Sequence, residues 1–323
     1  MITTVPFGDK NRLPLELLEA AGIECMINPI GRKLKEDELA EMVTDFDVLI
    51  AGTECITEKV MNRASRLKLI SRVGIGLDSV DLNAAKRRGI QVSYTPDAPA
   101  PAVAELTIGL MLSLLRSVHV ANSEIHRGEW HRHFGRRIPE VTIGIIGTGR
   151  IGGRVLRRLS AFGTPRILVN DIHPNPTVTT DLKLEWVGKQ EIYEQADLIS
   201  LHLPLTVYTK NMIRREQLLE MKPDALLVNT SRGGIVNEQD LADVLKSGYL
   251  GGAALDVFEQ EPYTGELAEI DRCLLTSHMG SMSVDCRTRM EIEATEEAVR
   301  FLEGQPLEGL VPLEEYEVQR QGL

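Results

Sequence analysis

The sequence predicts an α/β protein made of two doubly wound, mostly parallel-sheet domains. Three observations lead there. The chain has 323 residues, more than one ordinary hydrophobic core accommodates. Short apolar runs alternate with amphipathic, charged segments, which is the signature of βα units. A proline-rich stretch, Tyr94-Thr-Pro-Asp-Ala-Pro-Ala-Pro101, interrupts that rhythm once.

Before the interruption, strands are expected at 2–7, 23–28, 47–51, 67–73 and 90–94. Helical patterns fall between them at 13–21, 36–44, 58–64 and 81–88. Gly22 and Gly89 occupy helix C-cap positions. Pro101 suits the first turn of a long apolar helix running to about Ser117 or beyond. A second α/β series extends from Val141 to about His278. The segment 285–301 is again helical and is expected to return to the first domain. The expected domains are therefore 1–98 with 285–323, and 99–284.

Composition narrows the function. The chain is 43% hydrophobic and 26% charged, with a formal net charge of -11. Such an acidic surface repels phosphate backbones and anionic membranes, so neither nucleic acid nor membrane is an expected partner. Cys25, Cys55, Cys273 and Cys286 are far apart and form no metal-ligand cluster, so buried free thiols and no metal are expected. The N-terminus lacks a basic segment followed by an apolar run, and the most apolar stretch, 102–115, is short of the ~20 residues a span requires. A cytoplasmic location is expected.

Val141 to Ile146 is a β-rich apolar run, and Gly147-Thr148-Gly149-Arg150-Ile151-Gly152 comes directly after it, with Leu156, Leu159 and Phe162 continuing at helical spacing. In a strand-to-helix turn each glycine serves a separate purpose. Gly147 tightens the turn, Gly149 admits a pyrophosphate, and Gly152 lets helix pack on strand. The helix N-terminus then faces the phosphates. This is a Rossmann dinucleotide loop. Asp171 ends the next strand about 20 residues on, where a carboxylate accepts from ribose hydroxyls and repels a 2′-phosphate. NAD is the expected cofactor. His202, Pro204 and Thr230 come after later strands and are further candidate cofactor contacts.

Ligands bind beyond the carboxyl ends of such strands, so the residues after the last three matter most. The run 225–230 leads to Arg232, the run 252–258 to Glu259 and Glu261, and the run 273–277 to His278. Hydride exchange at a hydroxyl-bearing carbon needs one group that titrates near neutrality, which suits His278. A carboxylate beside it orients the ring, and Glu261, next to Pro262, is the better candidate. Arg232 offers a planar fork for a substrate carboxylate.

With these residues in order, the sequence resembles the D-isomer-specific 2-hydroxyacid dehydrogenases, particularly short phosphoglycerate-dehydrogenase-like members without a regulatory tail. The resemblance covers almost the whole chain: Val73-Gly-Ile-Gly-Leu-Asp78, Ala104-Glu-Leu-Thr-Ile-Gly-Leu110, the glycine loop, Asn229-Thr-Ser-Arg-Gly-Gly-Ile-Val236, Ala253-Ala-Leu-Asp-Val-Phe258, Glu261-Pro and His278-x-Gly. It implies a flavodoxin-like substrate domain beside the Rossmann domain, with an interdomain cleft. It implies Arg232, Glu261 and His278 as the catalytic three, and Asp256 on the nicotinamide carboxamide. Backbone at Val73, Gly74 and Gly76 would receive the substrate carboxylate, and a homodimer would form around the helix from Pro101. The implied reaction moves a hydride between NAD and a D-2-hydroxy acid or its 2-keto acid.

Several positions depart from the family pattern. Ser277 replaces a usual proline, Asn237 an aspartate and Tyr94 an asparagine. Ala51-Gly-Thr-Glu54 lacks the arginine that phosphoglycerate users place there, which argues against that substrate. The alternatives are an NADP-dependent glyoxylate or hydroxypyruvate reductase and an NAD-sensing, non-catalytic regulator of the same fold. A basic cluster at Arg127, His131, Arg132, His133, Arg136 and Arg137 is either a solvated loop or an arm that helps attract an anionic substrate into a neighbouring subunit's cleft.

Overall fold

The computed structural model describes residues 1–174 and 181–320. In chain order its elements are α1 (Leu13–Ala20), α2 (Glu36–Met42), β1 (Val48–Ala51), α3 (Glu58–Arg63), β2 (Leu69–Arg72), α4 (Leu82–Arg87), β3 (Gln91–Ser93), α5 (Ala100–Leu115) and α6 (Val118–His126). They continue with β4 (Thr142–Ile146), α7 (Arg150–Leu159), β5 (Arg166–Asn170), β6 (Leu184–Trp186), α8 (Lys189–Gln195), β7 (Leu198–Leu201), α9 (Arg215–Glu220) and β8 (Leu226–Asn229). The last are α10 (Glu238–Ser247), β9 (Gly252–Leu255), β10 (Cys273–Leu275), α11 (Val284–Leu302) and α12 (Leu313–Arg320). The chain divides into two compact units, Met1–Pro99 with Met282–Leu323, and Ala100–Ser281.

The first unit is built on the parallel sheet β1-β2-β3. Strands β1 and β2 are buried along their whole length because helices cover both faces. Gly22 and Gly89 do close helices, at φ +66° and +67°. The segments expected as strands at 2–7 and 23–28 are not regular strands. Ile2 alone bridges to Ile27 and Ile50; among the described residues the backbone pairing reaches Thr3 N on Ile50 O and goes no further, and Pro6 lacks an N–H to extend it. Helix α11 caps this unit with Met290, Ala294 and Ala298 packed against Ile2, Ile50 and Leu69.

The second unit carries a parallel sheet ordered β10-β9-β8-β7-β4-β5-β6, wound outward both ways from the β4/β7 boundary. That order reversal leaves a crevice beyond the carboxyl end of β4. Packing is close: a Cβ at Gly144 in β4 would lie 2.4 Å from Ile192 of α8. Helix α5 is mostly buried and ends at Leu115, earlier than its apolar run suggests, because Ser117 adopts φ +50° and α6 leaves at 66°. No single helix among the described residues is long and apolar enough to cross a membrane, although α5 and α6 together reach that length.

Candidate active site

The site in the second unit begins with level strand ends. Asn229 pairs with Leu255, and Leu255 with Leu275, so the residues after β8, β9 and β10 form one layer at the carboxyl edge. Arg232, Glu261 and His278 all lie just beyond these strands.

Each is held by its own turn. After β8, the Asn229 carboxamide accepts from Ser231 N and Oγ and donates to Arg232 O, while Arg232 Nη1 donates to Ser231 O at 2.7 Å. Gly233 has no room for a side chain, since a Cβ would sit 2.0 Å from the Phe258 carbonyl. The Arg232 turn is thereby pressed onto the segment that leads to Glu261. After β9, Phe258 N donates to Glu261 Oε1, and the Phe258 ring stacks on Tyr263 at 4.3 Å. After β10, His278 takes φ +50°, rare for a side chain of this size, and donates its N–H to Asp256 O. The buried Asp256 carboxylate accepts from Thr276 Oγ1 at 2.6 Å, Met279 N at 2.9 Å and Gly280 N at 2.8 Å. One aspartate therefore fixes the whole histidine turn.

The turns bring His278 and Glu261 into contact: His278 Nδ1 lies 2.9 and 3.0 Å from the two Glu261 oxygens. An ionised carboxylate only accepts, so Nδ1 carries the hydrogen and Nε2 faces away with its lone pair or a second proton. Sequence reasoning foresaw neither the Thr276–Asp256 clamp nor the help that Phe258 N gives Glu261. The only signal was an aspartate ending an otherwise apolar strand.

Between β4 and α7 the loop is defined by missing side chains. Gly147 has φ +94°, and a Cβ there would meet His202 O at 2.2 Å. A Cβ on Gly152 would meet Gly147 O at 2.0 Å, whereas nothing lies within 4 Å of that position on Gly149. Helix α7 starts without a side-chain cap, so its first N–H groups face the open side of Gly149. Thr148 is buried and donates its N and Oγ1 to Asp171 Oδ2, while His173 N donates to Oδ1. Burial opposes these bonds, yet together they lower the Asp171 pKa and keep it charged. This open, uncapped cradle with an anion on the adjoining strand fits a dinucleotide.

His202 stands behind the loop. Its Nε2 contacts Ser200 Oγ at 3.0 Å, and burial pushes the imidazole down to about 4, so it is neutral at neutral pH. Its Nδ1 has no hydrogen-bond partner among the described residues. Thr230 Oγ1 is 2.8 Å from Thr107 Oγ1, and the Pro204 carbonyl accepts from Thr209.

The first unit's loop after β2 differs from expectation. Val73 N donates to Ala51 O, and Gly74 N to Thr95 Oγ1 at 2.8 Å, so two of the three backbone donors expected to face a ligand are already engaged. Gly76 N makes no such bond among the described residues, and its carbonyl accepts from Arg72. The loop after β1 buries Glu54, which accepts from Gly52 N and Thr3 Oγ1. The basic segment after α6 is largely paired: Arg127 with Glu129 and Asp271, His131 and His133 with Glu124, Arg136 with Asp197, and Arg137 with Glu140. Arg136 braces the start of β4 and is not a free attractant, because Asp197 also holds Thr142 N.

Comparison with known proteins gives the same picture. Residues 108–280 match the family model "D-isomer specific 2-hydroxyacid dehydrogenase, NAD binding domain". The chain is 38% identical over 276 residues to a hydroxypyruvate reductase of Thermotoga maritima, covering 83% of this chain and 89% of that one. It is 38% identical over 288 residues to a D-3-phosphoglycerate dehydrogenase of Methanocaldococcus jannaschii, covering 87% of this chain but 55% of the relative. Among solved structures, the TT0316 protein of Thermus thermophilus superposes with a TM-score of 0.86 at 34% identity, covering 96% of this chain and 99% of that one.

Proposed function

The chain belongs to the D-isomer-specific 2-hydroxyacid dehydrogenase family, and from that premise we propose that it uses NAD to interconvert a small, unphosphorylated D-2-hydroxy acid and its 2-keto acid. The observation that carries this reading is the bidentate contact of His278 Nδ1 with Glu261. It leaves Nε2 as the atom that exchanges a proton.

Bound nicotinamide supplies or accepts the hydride at substrate C2. In the reducing direction, His278 Nε2–H donates its proton to the C2 oxygen, and the ring returns to the neutral Nδ1–H form. In oxidation Nε2 takes that proton back. Glu261 stabilises the imidazolium between these events. Arg232 orients the substrate carboxylate and polarises the carbonyl through its fork of donors. The loop Gly147-Thr148-Gly149-Arg150-Ile151-Gly152 would hold the pyrophosphate on the open side of Gly149, and His202, Pro204 and Thr230 are further candidate contacts for the cofactor. Asp256 has used three of about four acceptor sites on the histidine turn, which leaves one for a carboxamide N–H. Within the first unit, Gly76 N is the amide of the loop after β2 that remains to receive an anionic group.

Two further features support the finer points. Asp171, held anionic, disfavours the 2′-phosphate of NADP. Glu54, buried where an arginine would serve a phosphorylated acid, disfavours phosphate in the substrate. A homodimer around α5 fits the large apolar residues in the segment that follows α6, with Trp130 81% and Phe134 105% exposed. Trp130→Glu is expected to shift the mass seen by light scattering toward the monomer; an unchanged mass would place the interface elsewhere. All four cysteines are free, Cys273 and Cys286 buried but Cys25 and Cys55 exposed where buried thiols were expected, and free thiols suit a reducing, cytoplasmic setting.

The deciding experiment is NADH and NADPH oxidation against a panel of 2-keto acids, phosphorylated and not. Turnover of a small unphosphorylated acid with NADH is expected. Preference for NADPH or for a phosphorylated acid would correct the finer reading, and no turnover with any acid would favour the non-catalytic regulator.

A further inference from the structure

Behind the His278–Glu261 pair lies a third acidic group that the proton exchange itself does not use. Glu238 opens α10, immediately after the Asn237 cap. A glutamate there ordinarily faces solvent, where the helix N-terminus favours its charge. Glu238 instead accepts from Glu259 N at 2.7 Å. That amide adjoins Phe258 N, which donates to Glu261. Two consecutive amides of one turn are therefore gripped by two carboxylates, and the second carboxylate holds the histidine.

We propose that Glu238 is a positioning residue of the proton-exchange pair: it pins the backbone carrying Glu261 and adds a second negative charge behind it, favouring the protonated imidazole of His278. The inference rests on the reading of His278 as acid and base. The ionisable groups facing Glu238 are Glu259 and Glu261 from the turn after β9, and the Tyr263 hydroxyl; Asp240 shares its own helix. No arginine or lysine among the described residues forms an ion pair with it. Burial raises the Glu238 pKa, the Glu259 amide opposes this, and the charges of Glu259 and Glu261 raise it further.

The test separates charge from scaffold. Glu238→Gln keeps an acceptor for Glu259 N and removes the charge. Losing a nearby negative charge makes the imidazolium give up its proton at lower pH. In Glu238→Gln the limb on which 2-keto acid reduction falls with rising pH is therefore expected about half a pH unit lower, roughly a threefold rate difference on that limb. Glu238→Ala loses the amide acceptor as well, and its kcat is expected to drop about tenfold across the profile. A Glu238→Gln profile superimposable on the parent would overturn the proposal.

A second readout does not depend on turnover. The Glu259 amide resonance is expected to titrate in the parent protein with a midpoint above that of an ordinary glutamate, and not in Glu238→Gln. If that titration is missing from the parent or persists in the variant, Glu238 does not hold the turn. If it behaves as expected while no 2-keto acid is reduced, the enzymatic reading fails and the placement of Glu238 stands.

Discussion

The edge beyond β8–β10 and the loop between β4 and α7 are built on opposite principles. At the strand edge, side chains make the structure and almost every polar group is already paired: Asn229 holds the Arg232 turn, Asp256 holds the His278 turn, and Glu261 holds the imidazole. In the loop, absent side chains make it: Gly147 and Gly152 let backbones touch, and Gly149 leaves space before a helix start that no side chain caps. One region is preorganised to move a proton without rearrangement, which suits catalysis. The other is left unsatisfied, so that a ligand completes it.

Four substitutions test that contrast. The largest effect is expected from His278→Asn, which removes the proton carrier: kcat falls by about 10²–10⁴ while NADH affinity, measured by fluorescence, stays near the parent value. A variant that still turns over at the parent rate would remove His278 from the role. Gly152→Ala comes next. Its new Cβ would press on the Gly147 carbonyl at 2.0 Å, so NADH binding is expected to weaken by roughly 100-fold, with a loss of about 1–3 kcal/mol in urea unfolding. An alanine variant that binds NADH normally would show that the loop tolerates filling. Asp171→Ala removes the carboxylate that opposes a 2′-phosphate, together with its bonds to Thr148 and His173, so the NADH/NADPH ratio of kcat/KM is expected to fall about tenfold. An unmoved ratio would locate selectivity elsewhere.

The smallest effect concerns His202 and appears only with pH. Burial holds its folded-state pKa near 4, below the ordinary value of 6.5. Between those values the unfolded chain binds the extra proton, so this residue's contribution to stability is full above pH 6.5 and lost as pH falls toward 4. His202→Gln is expected to flatten the dependence of the urea midpoint on pH over that window. Equal slopes in the two proteins would mean that the ring charges freely in the folded state.

Much of this was legible in the sequence, for reasons that differ by residue. The glycine loop was readable because Gly147 and Gly152 meet steric demands that no other residue satisfies, as the 2.2 and 2.0 Å approaches show. The gathering of Arg232, Glu261 and His278 at one edge was readable because parallel strands deliver the residues beyond their carboxyl ends to the same side. Segments 2–7 and 23–28 read as strands although they are not, because apolar alternation records burial, and Ile2 is buried while pairing through single bridges. The Val73 and Gly74 amides read as free because their acceptors, Ala51 and Thr95, are distant in sequence.

The amino-acid order by itself determined the alternation of elements, the glycine loop and which side chains gather at the carboxyl edge, since each follows from local sterics or from strand direction. Tertiary structure alone decided which groups are left over for ligands. Whether an amide or carboxylate is spent internally depends on partners brought from far along the chain: Thr276 and Gly280 on Asp256, Glu238 on Glu259, and Asp197 on Arg136. A hydrogen bond has a range of about 3 Å, so only the folded chain settles who meets whom.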